Sequence, residues 1–212
     1  MKDIAIYGAG GFGREAACLI NRINDNKLEW NFLGFFDDTK VIGEKTPYGP
    51  ILGGMTELNR WNKELFLVIA IGNAVGLTGL SRRIINPDVK FPNLIAPDTI
   101  YHDKESIVFG KGNVVFFRSI ISCNVKLGDF NLLNNDVFIG HDSVLGSCNV
   151  FNPSTRISGN VEIGDGNFFG VSSVVLEKLK IGHGTTIGAN SVIIKKTQDN
   201  HTYYGNPAIK IN

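Results

Sequence analysis

The chain has 212 residues, 43% hydrophobic and 19% charged, with 25 glycines and 7 prolines, a length that suits one large domain or two small ones around a buried core. Lys plus Arg total 21 against 20 Asp plus Glu, a formal charge of +1, so no global field draws in nucleic acid or an anionic membrane. Cys18, Cys123 and Cys148 form an odd set without CxxC spacing, which indicates neither a disulfide framework nor a zinc site. No apolar run reaches the roughly 18 to 20 residues that span a bilayer, and the opening MKDIAIYGAGG lacks the apolar stretch of a signal peptide. A cytoplasmic protein without metal, nucleic-acid or membrane partners is expected.

Residues 1–97 alternate apolar runs with helical patterns. Asp3–Tyr7 reads as a buried strand, followed by a glycine loop and a helix from Arg14 to about Asn24. Phe32–Phe36 reads as a second strand ending in Asp37-Asp38. Thr39–Gly54, with Pro47 and Pro50, reads as a surface loop. A helix near Met55–Asn62, a strand at Leu65–Ile71, a helix near Leu77–Ile85 and a strand at Phe91–Ile95 complete the set. This βαβ order predicts an α/β Rossmann-like half-domain of about four parallel strands. The loop fits GxGxxG at Gly8, Gly10 and Gly13, with Gly11 inside it, directly between strand and helix. There backbone can approach a phosphate at a helix N-terminus. Asp37 ends the second strand, where such folds bind a ribose hydroxyl; Asp38 and the Gly72-Asn73 loop face the same crevice. The domain has room for a mononucleotide head rather than NAD.

Residues 98–212 follow a different rule. Every sixth residue from Phe109 to Ile193 is large and apolar, without a break, and glycine follows it at 110, 128, 140, 146, 164, 170, 182 and 188. Residues i and i+6 lie about 240° apart on a helix, so the period is not helical. It predicts a left-handed parallel β-helix with 18 residues per triangular coil. Glycines are expected at corners that need positive φ or tight turning, and the small, polar or β-branched residues four places after each apolar one, Leu179 excepted, complete the repeat.

Four histidines are present. His141 and His183 follow a stacked apolar position by two and should point outward near corners; His102 and His201 lie outside the regular repeat. Asp142 adjoins His141, and Gly159, 18 residues on, stacks about 4.8 Å above it, a backbone N–H placed to receive an oxyanion. His183 stands between Gly182 and Gly184 with no evident carboxylate and reads as surface. Cys123 and Cys148, without a histidine in register, read as structural.

The chain resembles the NeuD/PglD family of sugar acyltransferases through IYGAGGFGRE (6–15), GFFDD (34–38), GPILGG (49–54), IAIGN (69–73), FPNLIAP (91–97), IGHDSVLG (139–146), SGNVEIGDGNFFG (158–170) and YGNPA (204–208). The resemblance implies a homotrimer whose residues 1–97 hold a nucleotide-linked sugar and whose residues 98–212 hold acetyl-CoA. It puts the catalytic histidine and its acidic partner on His141 and Asp142, and a family asparagine on Asn134. A second family histidine is replaced by Val150, and the lysine of a GNPAK ending is displaced to Lys210. Acetyl-CoA is expected along Gly159, Gly170, Gly188 and Ala189, with Asn206 and Pro207 in a closing tail. The implied reaction is N-acetylation of a 4-amino sugar for surface glycan synthesis, with O-acetylation of a sialic acid as the enzymatic alternative. A nucleotide-sensing scaffold is the alternative from another class; a nicotinamide oxidoreductase rests on GxGxxG alone.

Overall fold

The computed structural model describes residues 1–211 and divides into two compact units, Met1–Pro97 and Asp98–Asn212. In the first, β1 (Lys2–Tyr7), α1 (Gly11–Asn26), β2 (Trp30–Phe36), β3 (Lys45–Thr46), β4 (Gly49–Gly53), α2 (Met55–Asn59), β5 (Leu65–Ile69), α3 (Ala74–Arg83) and β6 (Val89–Lys90) follow in order. The sheet runs β3-β4-β2-β1-β5-β6. All its pairings are parallel except β3 with β4. Ile4, Ala5, Ile6, Phe35, Phe36, Leu67, Val68 and Ile69 are buried, as expected of parallel strands covered on both faces.

The sheet has six strands rather than four. The segment 39–54 is not simply a loop: it folds back as the β3–β4 hairpin, and β4 joins β2. Gly34 permits this, because a Cβ there would collide with the Pro50 carbonyl. The last strand of this sheet is Val89–Lys90; of the expected Phe91–Ile95 only Leu94–Ile95 is a strand, and it does not join the sheet. Pro92 cannot donate to a ladder and biases Phe91 before it.

The second unit is the left-handed parallel β-helix, of two-residue strands stacked in three faces. The first carries Val114–Val115, Leu132–Leu133, Val150–Phe151, Phe168–Phe169 and Thr186–Ile187. The second runs from Ile100–Tyr101 through Ile120–Ile121, Phe138–Ile139, Arg156–Ile157 and Val174–Val175 to Val192–Ile193. The third carries Val108–Phe109, Lys126–Leu127, Val144–Leu145, Glu162–Ile163 and Lys180–Ile181. From Val108 to Ile193 each strand pairs with the one 18 residues later. The inward residues fill the prism, with Phe151 and Phe169 stacked at 4.5 Å.

Two details depart from the simple reading of the repeat. Positive φ falls three residues after each apolar position, not one. It recurs at 112, 118, 124, 130, 136 and every sixth residue to 190, and most of these are not glycine: Arg118, Asn124, Phe130 and Asp142 among them. The glycines directly after the apolar positions serve close packing. A Cβ on Gly128 would stand 2.8 Å from the Gly146 carbonyl carbon, and one on Gly164 2.8 Å from the Gly182 oxygen.

Four fully buried asparagines, 18 residues apart, form an internal ladder. Asn131 donates its N–H and Nδ2 to Asn113 Oδ1 at 2.9 and 3.1 Å, Asn149 to Asn131 at 3.0 Å each, and Asn167 to Asn149 at 2.9 Å each. The Thr185 N–H closes the ladder on Asn167 Oδ1 at 2.7 Å. A terminal hairpin follows: Thr202–Gly205 adds to Thr186–Ile187 and turns antiparallel into Ala208–Lys210. Asn149→Ala strands the Asn167 N–H, leaves its Nδ2 only the Gly164 carbonyl and opens a void, so it should lower stability by about 2–4 kcal/mol, read as a lower midpoint of denaturant unfolding with secondary structure retained below it.

Candidate active site

At the carboxyl ends of β1, β2 and β5 the glycine loop is shaped by contact. Gly8 has φ +109°, with the Ala70 carbonyl 2.7 Å from where a Cβ would stand, and Gly13 packs on the Gly8 carbonyl. Gly10 and Gly11 face open space apart from the Arg14 guanidinium, 4.0 Å from a Cβ on Gly11. α1 starts at Gly11 with no side-chain cap and no acidic residue in its first turn. Its positive end is therefore open to an anion.

Asp37 does not present a free carboxylate to a ribose. Its Oδ2 accepts the Ala9 N–H at 2.8 Å, and its Oδ1 accepts the Thr39 N–H and hydroxyl at 2.9 and 2.7 Å. Burial works against its charge, but these hydrogen bonds hold the carboxyl below its ordinary range. Asp37 thus braces the glycine loop. Asp38 accepts the Met55 N–H at 2.8 Å and faces Arg83 at 3.6 Å. Asn73 caps α3 through the Gly76 N–H at 2.7 Å, while Gly72 beside it is open. Tyr7, Arg14 and Arg83 were not singled out by motif. The Tyr7 hydroxyl is buried without a hydrogen-bond partner, and burial, reinforced by Asp38, pushes its phenol up. Only the position of Arg14, one turn past Gly10, could have signalled its place.

On the β-helix, His141 lies at the edge between the second and third faces. Its Nδ1 is 2.8 Å from Asp142 Oδ2. Hydrogen bonds from His141 and then Asn124 hold the Asp142 carboxyl below its ordinary range, so it is an acceptor and Nδ1 the donor. In the neutral imidazole this tautomer leaves the lone pair on Nε2. The ring lies over Gly159: a Cβ there would be 2.5 Å from Nε2. The Gly159 N–H donates to no described atom, whereas its carbonyl accepts the Lys178 N–H at 3.0 Å. A base and an unpaired backbone donor thus adjoin.

Other expected members lie elsewhere. Asn134 sits at the preceding edge, where its carbonyl accepts from Ser119 Oγ, and no hydrogen bond within the chain links it to His141. Val150 is buried. Gly170 and Gly188 spend their N–H groups on Ile187 and Tyr203 carbonyls, at 2.7 and 2.9 Å; the exposed Ala189 N–H is the free donor there. Asn206 and Pro207, joined by a cis peptide, form the turn of the terminal hairpin. Beside it Lys195, Lys196 and Lys210 border a cavity of about 330 Å³ with Tyr203, Pro207 and Ile209.

Two further readings are corrected by the 18-residue stacking. His183 does have a carboxylate: Asp165 Oδ2 lies 3.4 Å from its Nδ1. That nitrogen also accepts the Asp165 N–H at 3.0 Å, in a ladder running from Lys111 through Asp129, Ser147 and Asp165 to His183 and Asp199. Cys123 lies one coil before His141, and its carbonyl accepts the Asp142 N–H at 3.0 Å. No cluster of three or more His, Cys, Asp or Glu suited to a metal ion occurs among the described residues, nor any helix long and apolar enough to cross a membrane.

Residues 3–75 match the PglD N-terminal domain family. The chain is 32% identical over 117 residues to the UDP-N-acetylbacillosamine N-acetyltransferase of Bacillus subtilis, a match covering 54% of this chain and 51% of that protein. It thus spans about half the length of that curated relative. The acetyltransferase domain of PglB from Neisseria gonorrhoeae, solved with acetyl coenzyme A, superposes with TM-score 0.87 at 27% identity, covering 99% of each chain. PerB of Caulobacter crescentus, solved with CoA and GDP-perosamine, shares the fold at TM-score 0.90 and 22% identity, over 100% of this chain and 98% of that one.

Two substitutions test this geometry. Gly159→Ala should displace the imidazole and cut turnover at least tenfold while the unfolding midpoint barely moves, since a Cβ 2.5 Å from Nε2 meets a side chain rather than the coil backbone. Asp37→Asn should destabilise the first unit at neutral pH. A carboxyl with a lowered pKa stabilises fully above its unfolded value of about 3.9 and loses that contribution as pH falls through the folded value. The gap between parent and variant in urea unfolding should therefore close only below about pH 4.

Proposed function

We propose that this chain, a member of the NeuD/PglD family of sugar acyltransferases, transfers the acetyl group of acetyl-CoA to the amine of a nucleotide-linked 4-amino sugar in the cytoplasm. The observation that carries the chemistry is the His141 imidazole, oriented by Asp142 with Nε2 free over the unpaired Gly159 N–H. The B. subtilis relative supports a nucleotide-linked amino sugar as acceptor, and the N. gonorrhoeae domain supports acetyl-CoA as donor.

The sugar amine attacks the thioester carbonyl, forming the C–N bond. His141 Nε2 takes the amine proton, and Asp142 stabilises the resulting imidazolium. The Gly159 N–H donates to the developing oxyanion. As the tetrahedral intermediate collapses, the C–S bond breaks and the imidazolium returns the proton to the departing CoA thiolate. The second face supports a homotrimer: Ile100, Ile120, Phe138, Val174 and Val192 point outward in one column, broken only by Arg156, with Ile100 52% exposed. The three lysines beside the terminal hairpin suit the phosphates of CoA, and Ala189 offers the remaining backbone donor. The open N-terminus of α1, with Arg14 beside it, suits the diphosphate of the sugar nucleotide.

Thiol release from acetyl-CoA against UDP-, dTDP- and GDP-linked 4-amino sugars, CMP-sialic acid and free sialic acid tests the reading. Turnover on one amino sugar, reduced at least about 10²-fold by His141→Ala, is expected. Turnover with sialic acid alone would make the enzyme an O-acetyltransferase, and absence of acetyl-CoA binding would overturn the assignment.

A further inference from the structure

We propose that Asn124 is a positioning residue for the acyl transfer: it fixes the rotamer of Asp142 and, through it, the tautomer of His141. The proposal rests on the reading of His141 as the base. Asn124 lies 18 residues before Asp142, one coil away at the same edge, and both occupy the left-handed corner conformation, at φ +56° and +57°. Asn124 Nδ2 donates to Asp142 Oδ1 at 3.0 Å, while Oδ2 faces His141 Nδ1 at 2.8 Å. One hydrogen bond on each oxygen fixes the plane of a carboxylate that is 44% exposed and otherwise free to turn. Asn124 is itself tied down, its N–H donating to Ser106 Oγ at 2.8 Å.

The same register relation occurs at the neighbouring edge with different chemistry. Arg118, 18 residues before Asp136, grips both carboxylate oxygens at 2.8 and 2.7 Å. That pairing consumes the carboxylate. The neutral amide of Asn124 uses one oxygen and leaves the negative charge and the second oxygen for the imidazolium. Corner pairs 18 residues apart are thus a general device of this coil, and at His141 the device takes the form that spares the acceptor.

Asn124→Gly keeps the positive φ and removes the amide. With acetyl-CoA and a UDP-linked 4-amino sugar, kcat should fall roughly tenfold, with both KM values within about twofold of the parent. In an Asp142→Ala background the same substitution should have no further effect. Asn124→Arg, tolerable at this corner because Arg118 already occupies an equivalent one, should lower kcat further by capturing Asp142. Independently of any acceptor, 15N shifts of the imidazoles, assigned by the signal lost in His141→Ala, should show Nδ1–H in the parent and a mixture of tautomers in Asn124→Gly. Unchanged kcat and tautomer in Asn124→Gly, or an equal loss with and without Asp142, would overturn the role of Asn124. Retained turnover in His141→Ala would instead overturn the choice of base, leaving the tautomer measurement to decide the positioning claim.

Discussion

The backbone hydrogen bonds between successive coils of the β-helix fix which residues can meet. From Val108 onward they lock residue i beside residue i+18, so an 18-residue interval in sequence becomes a single inter-strand step in space. The asparagine ladder depends on that register, since each Oδ1 accepts from the residue one coil on. So do the glycine column, in which each missing Cβ makes room for the next coil, and the grouping of Asn124, Asp142, His141 and Gly159. A one-residue slip would turn inward residues outward and scatter all of these together.

The two histidine–carboxylate pairs show how register can assign opposite tasks. At His183 the ring accepts a backbone N–H from the coil before it, so Nδ1 is occupied as a structural cap. At His141 the ring lies instead toward the following coil, where Gly159 has no side chain, and Nδ1 donates to Asp142. The distinction comes from the residue 18 positions away together with the next residue in sequence, Asp142 after His141 but Gly184 after His183.

Much of this was legible in advance, and the misses have physical causes. The unbroken apolar period from Phe109 to Ile193 specifies the coil, and counting forward from His141 finds Gly159. Counting backward finds Cys123 below His141 and Asp165 below His183, contacts that inspection of adjacent residues overlooks. The left-handed corners are hidden because Arg118, Phe130 and Lys178 carry no turn signal; the coil, not local preference, imposes their φ. In the first unit GxGxxG locates the loop, but spacing leaves Asp37 open between ligand contact and loop polarity, because it cannot show that three donors already occupy its carboxylate. The β3–β4 hairpin was masked by two prolines that sequence statistics read as loop.

The terminal hairpin bears on a hazard common to solenoids. Stacked parallel strands leave a row of unpaired amides and carbonyls at the last coil, a template on which further chains could grow into fibres. On the first face that row is occupied by Thr202–Gly205, and Ala208–Lys210 then runs in the opposite direction. Polarity is reversed at the rim, Pro207 withholds a donor, and Lys210 adds charge. The segment bordering the lysine-lined cavity therefore also covers the edge of the first face on which a further parallel strand could add.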